Sequence, residues 1–143
     1  METYIVDASV GTKWFFKEES SAVAENLIRQ VEAREIRAVV PDLFYAELAN
    51  IFWKRFQRRQ IKATAGLNAF DVLMGFKLER YSDYELSDVA LENAVQLGIS
   101  AYDAVYVSLA EIYAAPLVTA DHALIKACKN KFDFILPLSE FGK

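Results

Sequence analysis

The amino-acid sequence predicts an α/β fold built around a mostly parallel sheet. Two observations lead to this prediction. Short apolar runs with strand composition alternate along the chain with longer segments of helical periodicity, which is the pattern of strand–helix–strand units. The chain has 143 residues and no linker, repeat or low-complexity tract, so residues 1–143 are expected to form a single domain.

Five strands are predicted from short runs that are rich in β-branched and aromatic residues. In chain order they cover residues 3–6, 37–40, 78–81, 116–121 and 134–136. The first run ends at Asp7, and Pro41 stops the second, because a proline cannot donate a hydrogen bond to a neighbouring strand.

Seven helices are predicted around these strands from the spacing of apolar residues. In chain order they cover residues 8–16, 20–34, 43–58, 64–77, 82–98, 100–115 and 123–129. Asp42 is expected to cap the third helix with its side chain. Ser82 or Asp83 is expected to cap the fifth, and Gly98 to end it.

The composition excludes several classes of protein. Hydrophobic residues make up 54% of the chain, which is too apolar for a disordered protein. The single cysteine, Cys128, excludes an intrachain disulfide and is expected to pack as a small apolar side chain. Asp7 interrupts the apolar run at the N-terminus, and no apolar stretch approaches the roughly 20 residues of a membrane span. We therefore expect a cytoplasmic protein without a signal peptide or a membrane segment.

Two acidic residues, Asp7 and Asp121, each follow a predicted strand and precede a helix. Either side chain could simply cap the helix that it precedes. Because sites in parallel sheets form beyond the carboxyl ends of the strands, the two carboxylates are also candidates for a shared pocket.

Two further acids, Asp103 and Glu47, lie on helices. Ser100 and Asp103 have the spacing of a capping box, but the apolar run that follows places this helix start against the core. Glu47 shares a helix face with apolar residues such as Leu43 and Ile51. A carboxylate in such surroundings needs a partner or a metal ion, and a solvated position at the edge is the alternative for Glu47.

The four acids together predict a site for Mg²⁺ or Mn²⁺. Carboxylates that lie close together repel one another, and a divalent cation relieves this repulsion. Oxygen ligands suit these two ions, and the sequence has no cysteine or histidine cluster for zinc. The hydroxyls of Ser9 and Thr119 could orient a carboxylate or a water, and Asn50 could bond to Glu47 one turn away. The only histidine, His122, is expected to be exposed.

Five cations with no acid among them follow Glu47 along the chain. They are Lys54, Arg55, Arg58, Arg59 and Lys62. A helix end favours cations through its dipole, and the same residues could track the phosphates of a nucleic acid. With a net charge of −4, the chain has no global basic field, so any nucleic-acid contact has to come from such a local patch. The consecutive aromatics at 14–16, and the large apolar residues Ile51, Phe52, Trp53 and Phe56 on the helix of Glu47, cannot all face one core, which suggests a homodimer or a partner groove.

Each of the four acids lies in a short segment, and the segments share an order and a spacing. The segments are Tyr4–Val10, Pro41–Asn50, Tyr102–Ala110 and Leu117–Asp121. In these segments the chain resembles the PIN-domain ribonucleases, and among them the VapC-type toxins of toxin–antitoxin pairs. The resemblance covers essentially the whole chain.

The resemblance implies a three-layer α/β/α sandwich and a metal-dependent endoribonuclease. It implies that Asp7 and Asp103 are the most direct metal ligands, and that Asp121 and Glu47 complete the site directly or through water. The implied partners are an RNA substrate, a small antitoxin protein that docks on the toxin, and a second copy of the chain in a homodimer.

The expected reaction is hydrolysis of a phosphodiester bond by a metal-activated water. Two other functions are open to such a sequence. A catalytically inactive PIN-like module that binds RNA or protein is one, and the four intact acids argue against it. A phospho-acceptor receiver domain is the other, but Asp7 has no second acid beside it and no lysine ends a strand.

Overall fold

A five-stranded parallel sheet forms the centre of the molecule, and the computed structural model describes all residues from 1 to 143. In chain order the strands are β1 (Thr3–Val6), β2 (Arg37–Pro41), β3 (Glu79–Tyr81), β4 (Leu117–Thr119) and β5 (Ile135–Pro137). Their order across the sheet is β3-β2-β1-β4-β5, and each neighbouring pair is parallel. The predicted parallel α/β architecture is confirmed.

Seven α-helices and two short 3₁₀ turns surround the sheet. The helices are α1 (Ala8–Gly11), α2 (Ser21–Glu32), α3 (Leu43–Gln57), α4 (Ala63–Gly75), α5 (Asp83–Leu97), α6 (Ala101–Tyr113) and α7 (His122–Cys128). Gly98 ends α5 in the left-handed conformation with a φ of 69°, as predicted. None of these helices combines the length and the apolar composition that a membrane crossing requires.

The sheet is covered on both faces. Consecutive residues of the central strands, such as Ile5 and Val6 in β1 or Val39 and Val40 in β2, are fully buried. Because successive strand residues point to opposite faces, both faces must be packed against helices. Helix α6 lies against β1, β2 and β4, and α5 packs on α6. The three-layer α/β/α prediction is therefore confirmed.

The strand order places β1 and β4 side by side at a switch in topology. From β1 the chain builds outward to β2 and β3 on one side, and later to β4 and β5 on the other. Val6 pairs with Val118, so the residues that follow β1 and β4 emerge next to each other. Ligand sites in open α/β sheets form at such a switch point.

The helix predicted over 8–16 is shorter than expected. Helix α1 ends at Gly11, and the chain tightens into a 3₁₀ turn over Thr12–Trp14. This turn lets the Trp14 indole N–H donate to the carbonyl of Ala24 at 2.9 Å. The three consecutive aromatics at 14–16 therefore face inward and pack against Phe44, Phe52 and Phe76.

The prediction that Asp42 caps α3 with its side chain is wrong. Asp42 has helical φ and ψ angles of −56° and −32°, so its carboxylate does not reach the free N–H groups of the first turn. Asp83 accepts the hydrogen bond from the backbone N–H of Leu43 at 3.1 Å instead. Asp42 lies 3.8 Å from Arg80 at the surface.

Candidate active site

Asp7 is the residue immediately after β1, and only 6% of it is exposed. It caps α1 by accepting a hydrogen bond from the backbone N–H of Ser9 at 3.1 Å. Two hydroxyls also donate to its carboxylate, Ser9 Oγ to Oδ1 at 2.5 Å and Thr119 Oγ1 to Oδ2 at 2.6 Å. The capping role is confirmed, and it leaves the carboxylate at the switch point between β1 and β4.

The Ser9 and Thr119 hydroxyls, which we call the hydroxyl clamp, join the ends of the two central strands. Thr119 Oγ1 accepts from the backbone N–H of Asp121 at 3.1 Å, and Ser9 Oγ accepts from that of Ala120 at 2.9 Å. The two hydroxyl oxygens lie 3.3 Å apart. No buried side-chain polar atom lacks a partner. Such a fully bonded network fixes the orientation of Asp7.

Burial raises the pKa of Asp7 to about 6. The hydrogen bonds from Ser9 and Thr119 oppose this rise, and the negative charge of Asp121 adds to it. No lysine or arginine forms an ion pair with Asp7. The ionised carboxylate is therefore an uncompensated charge in a buried position, which is the usual environment of a functional acid.

Asp121 is the residue whose charge acts on both Asp7 and Asp103. Its side chain caps α7 by accepting from two backbone N–H groups of the first turn, at 3.0 and 3.1 Å. Asp103 is half-buried on the first turn of α6, where its N–H donates to Ser100 Oγ at 3.1 Å, as the capping box predicted. Burial raises the pKa of Asp103, and the charge of Asp121 raises it further. Asp121 thus acts electrostatically on both of the other aspartates.

Glu47 lies in the second turn of α3. It is half-buried, and the hydroxyl of Tyr106 donates to its Oε1 at 2.6 Å. Burial raises the pKa of Glu47, the Tyr106 hydrogen bond opposes this, and the charge of Asp103 adds to it. Electrostatic coupling therefore links the four acids pairwise in the order Asp7, Asp121, Asp103 and Glu47, and we call this set the row of carboxylates.

The side chains in this row fit a hard divalent cation. All four supply oxygen atoms, and none of them has a basic partner. The four side chains do not form a complete coordination site in this structure, because no three of them are close enough together to bind one ion. Mg²⁺ commonly takes only one or two carboxylates from a protein and keeps several waters, so an open row of this kind suits it.

Two residues near the site were missed in the sequence. Tyr106 belongs to the run after Asp103 that was expected to face the core, and a buried tyrosine hydroxyl on the same helix face as Asp103 needs a partner. Asp83 lies at the start of α5, just after β3, and its charge raises the pKa of both Glu47 and Tyr106. Asp83 lies two residues beyond the end of β3, and this position could have identified it in the sequence as an acid near the site.

The comparison with known proteins agrees with the motifs. Residues 4–130 match the PIN domain family. Ribonuclease VapC3 of Pyrobaculum aerophilum is 34% identical over 122 residues, which cover 84% of this chain and 90% of that protein. The chain belongs to the PIN-domain family, in its VapC-type branch.

Solved structures show the same fold. The crystal structure of PAE2754 from Pyrobaculum aerophilum superposes with a TM-score of 0.74 at 23% identity, covering 96% of this chain and 92% of that one. The VapBC2 complex of Rickettsia felis, bound to a DNA fragment from its promoter, gives 0.64 at 18% identity and covers 94% and 96%.

The basic residues of this PIN domain do not form one uniform patch. Lys54, Arg58, Arg59 and Lys62 are exposed around the end of α3, as predicted. Arg55 differs, because it is bound to Glu18 at 2.8 Å and lies 4.0 Å over the ring of Phe16. The structure therefore leaves four cations available for phosphates and gives Arg55 a structural contact.

The other candidate residues lie at the rim of the PIN-domain site or outside it. Asn50 is exposed and forms no side-chain hydrogen bond, so the expected bond to Glu47 is absent from this structure. His122 is exposed next to Asp121, as expected. Cys128 is fully buried, as expected.

An apolar groove opens between α3 and α4 of the PIN domain, with a volume of about 610 Å³. Its walls are mostly aromatic and aliphatic side chains. They include Phe52, Trp53, Phe56, Leu67 and Phe70. Trp53 is 55% exposed and Leu67 69% exposed. The exposed aromatic side chains predicted from the sequence therefore lie in this groove, on α3, and not at residues 14–16.

Proposed function

We propose that this PIN domain is a metal-dependent endoribonuclease that cuts RNA in the cytoplasm as the toxin of a toxin–antitoxin pair. The observation that carries the proposal is the buried carboxylate of Asp7. It lies at the switch point between β1 and β4, with Asp121 beside it and no cation to balance its charge. The similarity to a ribonuclease of the VapC type supports the assignment of RNA as the substrate.

In the proposed site, Asp7 and Asp103 would be the most direct ligands of Mg²⁺ or Mn²⁺, and Asp121 and Glu47 would complete the site directly or through water. When bound, such an ion supplies a water of lowered pKa and positive charge opposite the phosphate. The hydroxyl clamp keeps Asp7 oriented towards the site throughout the reaction. Glu47, whose pKa burial raises, accepts the proton of the attacking water.

The substrate backbone is proposed to follow the exposed cations at the end of α3. These cations lie on the helix that carries Glu47, with Lys54 about 10 Å further along the axis at 1.5 Å per residue. In-line attack by water leaves a 5′-phosphate on one product and a 3′-hydroxyl on the other. An inactive binding module is not favoured, because all four acids are present and Asp7 is held in a fixed orientation.

The direct test is cleavage of total RNA and of a circular RNA by the purified chain with Mg²⁺, with Mn²⁺ or with EDTA. We expect metal-dependent opening of the circle and products that carry 5′-phosphates. Asp7→Asn should abolish cleavage, whereas Asp42→Asn, an exposed acid outside the row, should not. Products ending in 2′,3′-cyclic phosphate, or cleavage in EDTA that survives Asp7→Asn, would contradict the proposal.

The proposed antitoxin docks in the groove between α3 and α4. The groove suits an amphipathic segment whose large apolar side chains enter it. Acidic residues on that segment could then meet Arg58 and Lys62 at the rim. Elsewhere on the antitoxin, a basic side chain could reach the row of carboxylates, which has no cation of its own. Structures of related folds as VapBC complexes support a protein partner of this kind.

The groove can be tested by measuring the binding of a candidate antitoxin. Trp53→Ala should weaken its binding by about 2 kcal/mol or more, as truncation of a central tryptophan commonly does. Val72→Ala serves as the control, since Val72 is 54% exposed on α4 but does not line the groove. Equal binding by both variants, measured by calorimetry, would place the partner elsewhere.

The proposed homodimer has a candidate surface on α5. Tyr84, Leu91 and Val95 are 89%, 61% and 76% exposed and form one stripe along that helix. An apolar stripe without a partner in the same chain suits a second copy. Light scattering on a sizing column should give a dimer that Leu91→Glu dissociates. A monomer at micromolar concentration would exclude the dimer.

A further inference from the structure

Glu47 is the one acid of the row that neither a strand end nor the first turn of a helix places. Asp7 and Asp121 follow β1 and β4, and Asp103 lies in the first turn of a helix packed on the sheet. Glu47 instead projects from the second turn of α3 on a long side chain. The only hydrogen bond that its carboxylate forms is the one from Tyr106, at 2.6 Å.

Tyr106 is a fixed point in the structure. It is 2% exposed, and every residue from 104 to 110 on α6 is buried. A tyrosine has only two side-chain torsions, so a ring buried in this way has little freedom to move its hydroxyl. A tyrosine hydroxyl ordinarily has a pKa of about 10, so at neutral pH it keeps its proton and remains a donor.

Tyr106 also connects the two helices that carry the helix-borne acids. It lies one turn after Asp103 on α6 and reaches across to Glu47 on α3, a residue 59 positions earlier in the chain. The hydrogen bond therefore sets where Glu47 lies relative to Asp103. Without this hydrogen bond, the half-buried carboxylate of Glu47 has no partner. Because a buried carboxylate without a partner is costly, the side chain is expected to turn towards solvent.

We propose that Tyr106 is a positioning residue of the nuclease, whose hydroxyl holds Glu47 beside Asp103 and so brings the acid of α3 into the metal site. This inference rests on the proposed function. Tyr106 itself contacts neither the metal nor the RNA, and it acts only through Glu47. It belongs to the class of outer partners that orient metal-binding carboxylates, whose loss commonly reduces metal affinity or activity by about 10- to 100-fold.

The test is Tyr106→Phe, which removes one oxygen and keeps the ring. Tyr113→Phe is the matched control, because Tyr113 lies on the same helix and its hydroxyl forms no hydrogen bond. Mn²⁺ affinity is measured by calorimetry without RNA, and kcat and KM are measured with RNA. We expect Tyr106→Phe to bind Mn²⁺ roughly tenfold more weakly and to lower kcat roughly tenfold, while KM stays unchanged.

A double-mutant cycle with Glu47→Gln separates positioning from a general structural effect. If Tyr106 acts through Glu47, Tyr106→Phe should cause no further loss of Mn²⁺ affinity in the Glu47→Gln background. Urea unfolding of each variant verifies that the fold is kept. Wild-type affinity and kcat in Tyr106→Phe, or an equal loss in both backgrounds, would overturn the inference. Cleavage that survives Asp7→Asn would overturn the proposed function instead.

Discussion

Replacing Asp7 by asparagine should make the metal-free protein more stable at neutral pH. The carboxylate is buried without a cation, so its charge works against the fold. Asparagine has nearly the same shape and carries no charge. Its side-chain oxygen can still accept from Ser9, and its amide can donate to the oxygen of Thr119, whose hydroxyl proton can turn towards Ser9, 3.3 Å away.

The size of this effect follows from the pKa of Asp7. The pKa rises from 3.8 to about 6 on folding, which corresponds to roughly 3 kcal/mol at 1.36 kcal/mol per pH unit. Between these values the folded chain holds a proton that the unfolded chain has released. The free energy of unfolding therefore falls as the pH rises from about 4 to about 6, and it stays lower above that range. The asparagine variant lacks this group, so its fall should be smaller by about this amount and should come only from the other acids with raised pKa, Asp103 and Glu47.

Urea unfolding in EDTA at pH 4 and at pH 7.5 measures the free energy of unfolding of the wild type and of Asp7→Asn, and how each changes with pH. We expect the variant to match the wild type at pH 4 and to exceed it by up to about 3 kcal/mol at pH 7.5. Mg²⁺ should stabilise the wild type and leave the variant unchanged, because binding to the folded state alone adds to stability. Asp42→Asn should behave as the wild type throughout. A variant that is less stable at neutral pH, or equally shifted at both pH values, would refute the reasoning.

Three other changes test separate parts of the structure. Thr119→Val removes a donor to Asp7 and should reduce cleavage by about 10- to 100-fold in single-turnover assays; wild-type activity would argue against the clamp. Replacing Arg58 and Arg59 by alanine should lower the slope of log affinity against log salt by about 0.7 for each phosphate that is no longer bound; an unchanged slope would mean that RNA runs elsewhere. Gly11→Ala brings a methyl group within 2.8 Å of the buried ring of Phe44 and should cost about 1–3 kcal/mol in urea unfolding; unchanged stability would mean that the ring can move.

The strand-end acids were predictable because their placement depends on local sequence and on a general property of parallel sheets. Asp7 and Asp121 each follow an apolar run and precede a helix, and the structure brings β1 and β4 together at these ends. The capping role is confirmed for both residues, and the site role stays a prediction that capping does not exclude. Both side chains cap their helices with one oxygen and still lie in the row of carboxylates.

The pairings that the sequence could not reveal all join residues that are far apart in the chain. Asp83 caps α3 in place of Asp42 only because β3 lies beside β2, which brings residues 40 positions apart together. Arg55 is removed from the cationic patch by Glu18, which lies 37 positions before it. Local patterns identify the type of side chain at each position, whereas the packing of the elements decides its partner.

Helix α3 carries Glu47 on one face, core residues such as Phe44 and Leu48 on another, and groove residues such as Trp53 on a third. Its sequence therefore serves the proposed chemistry and the fold on two faces, and the wall of the groove on the third. Helix α4 packs mainly against α3 and contributes no acid to the row. Substitutions at Leu67 or Phe70 on α4 would therefore reshape the groove without touching any residue that carries one of the four acids.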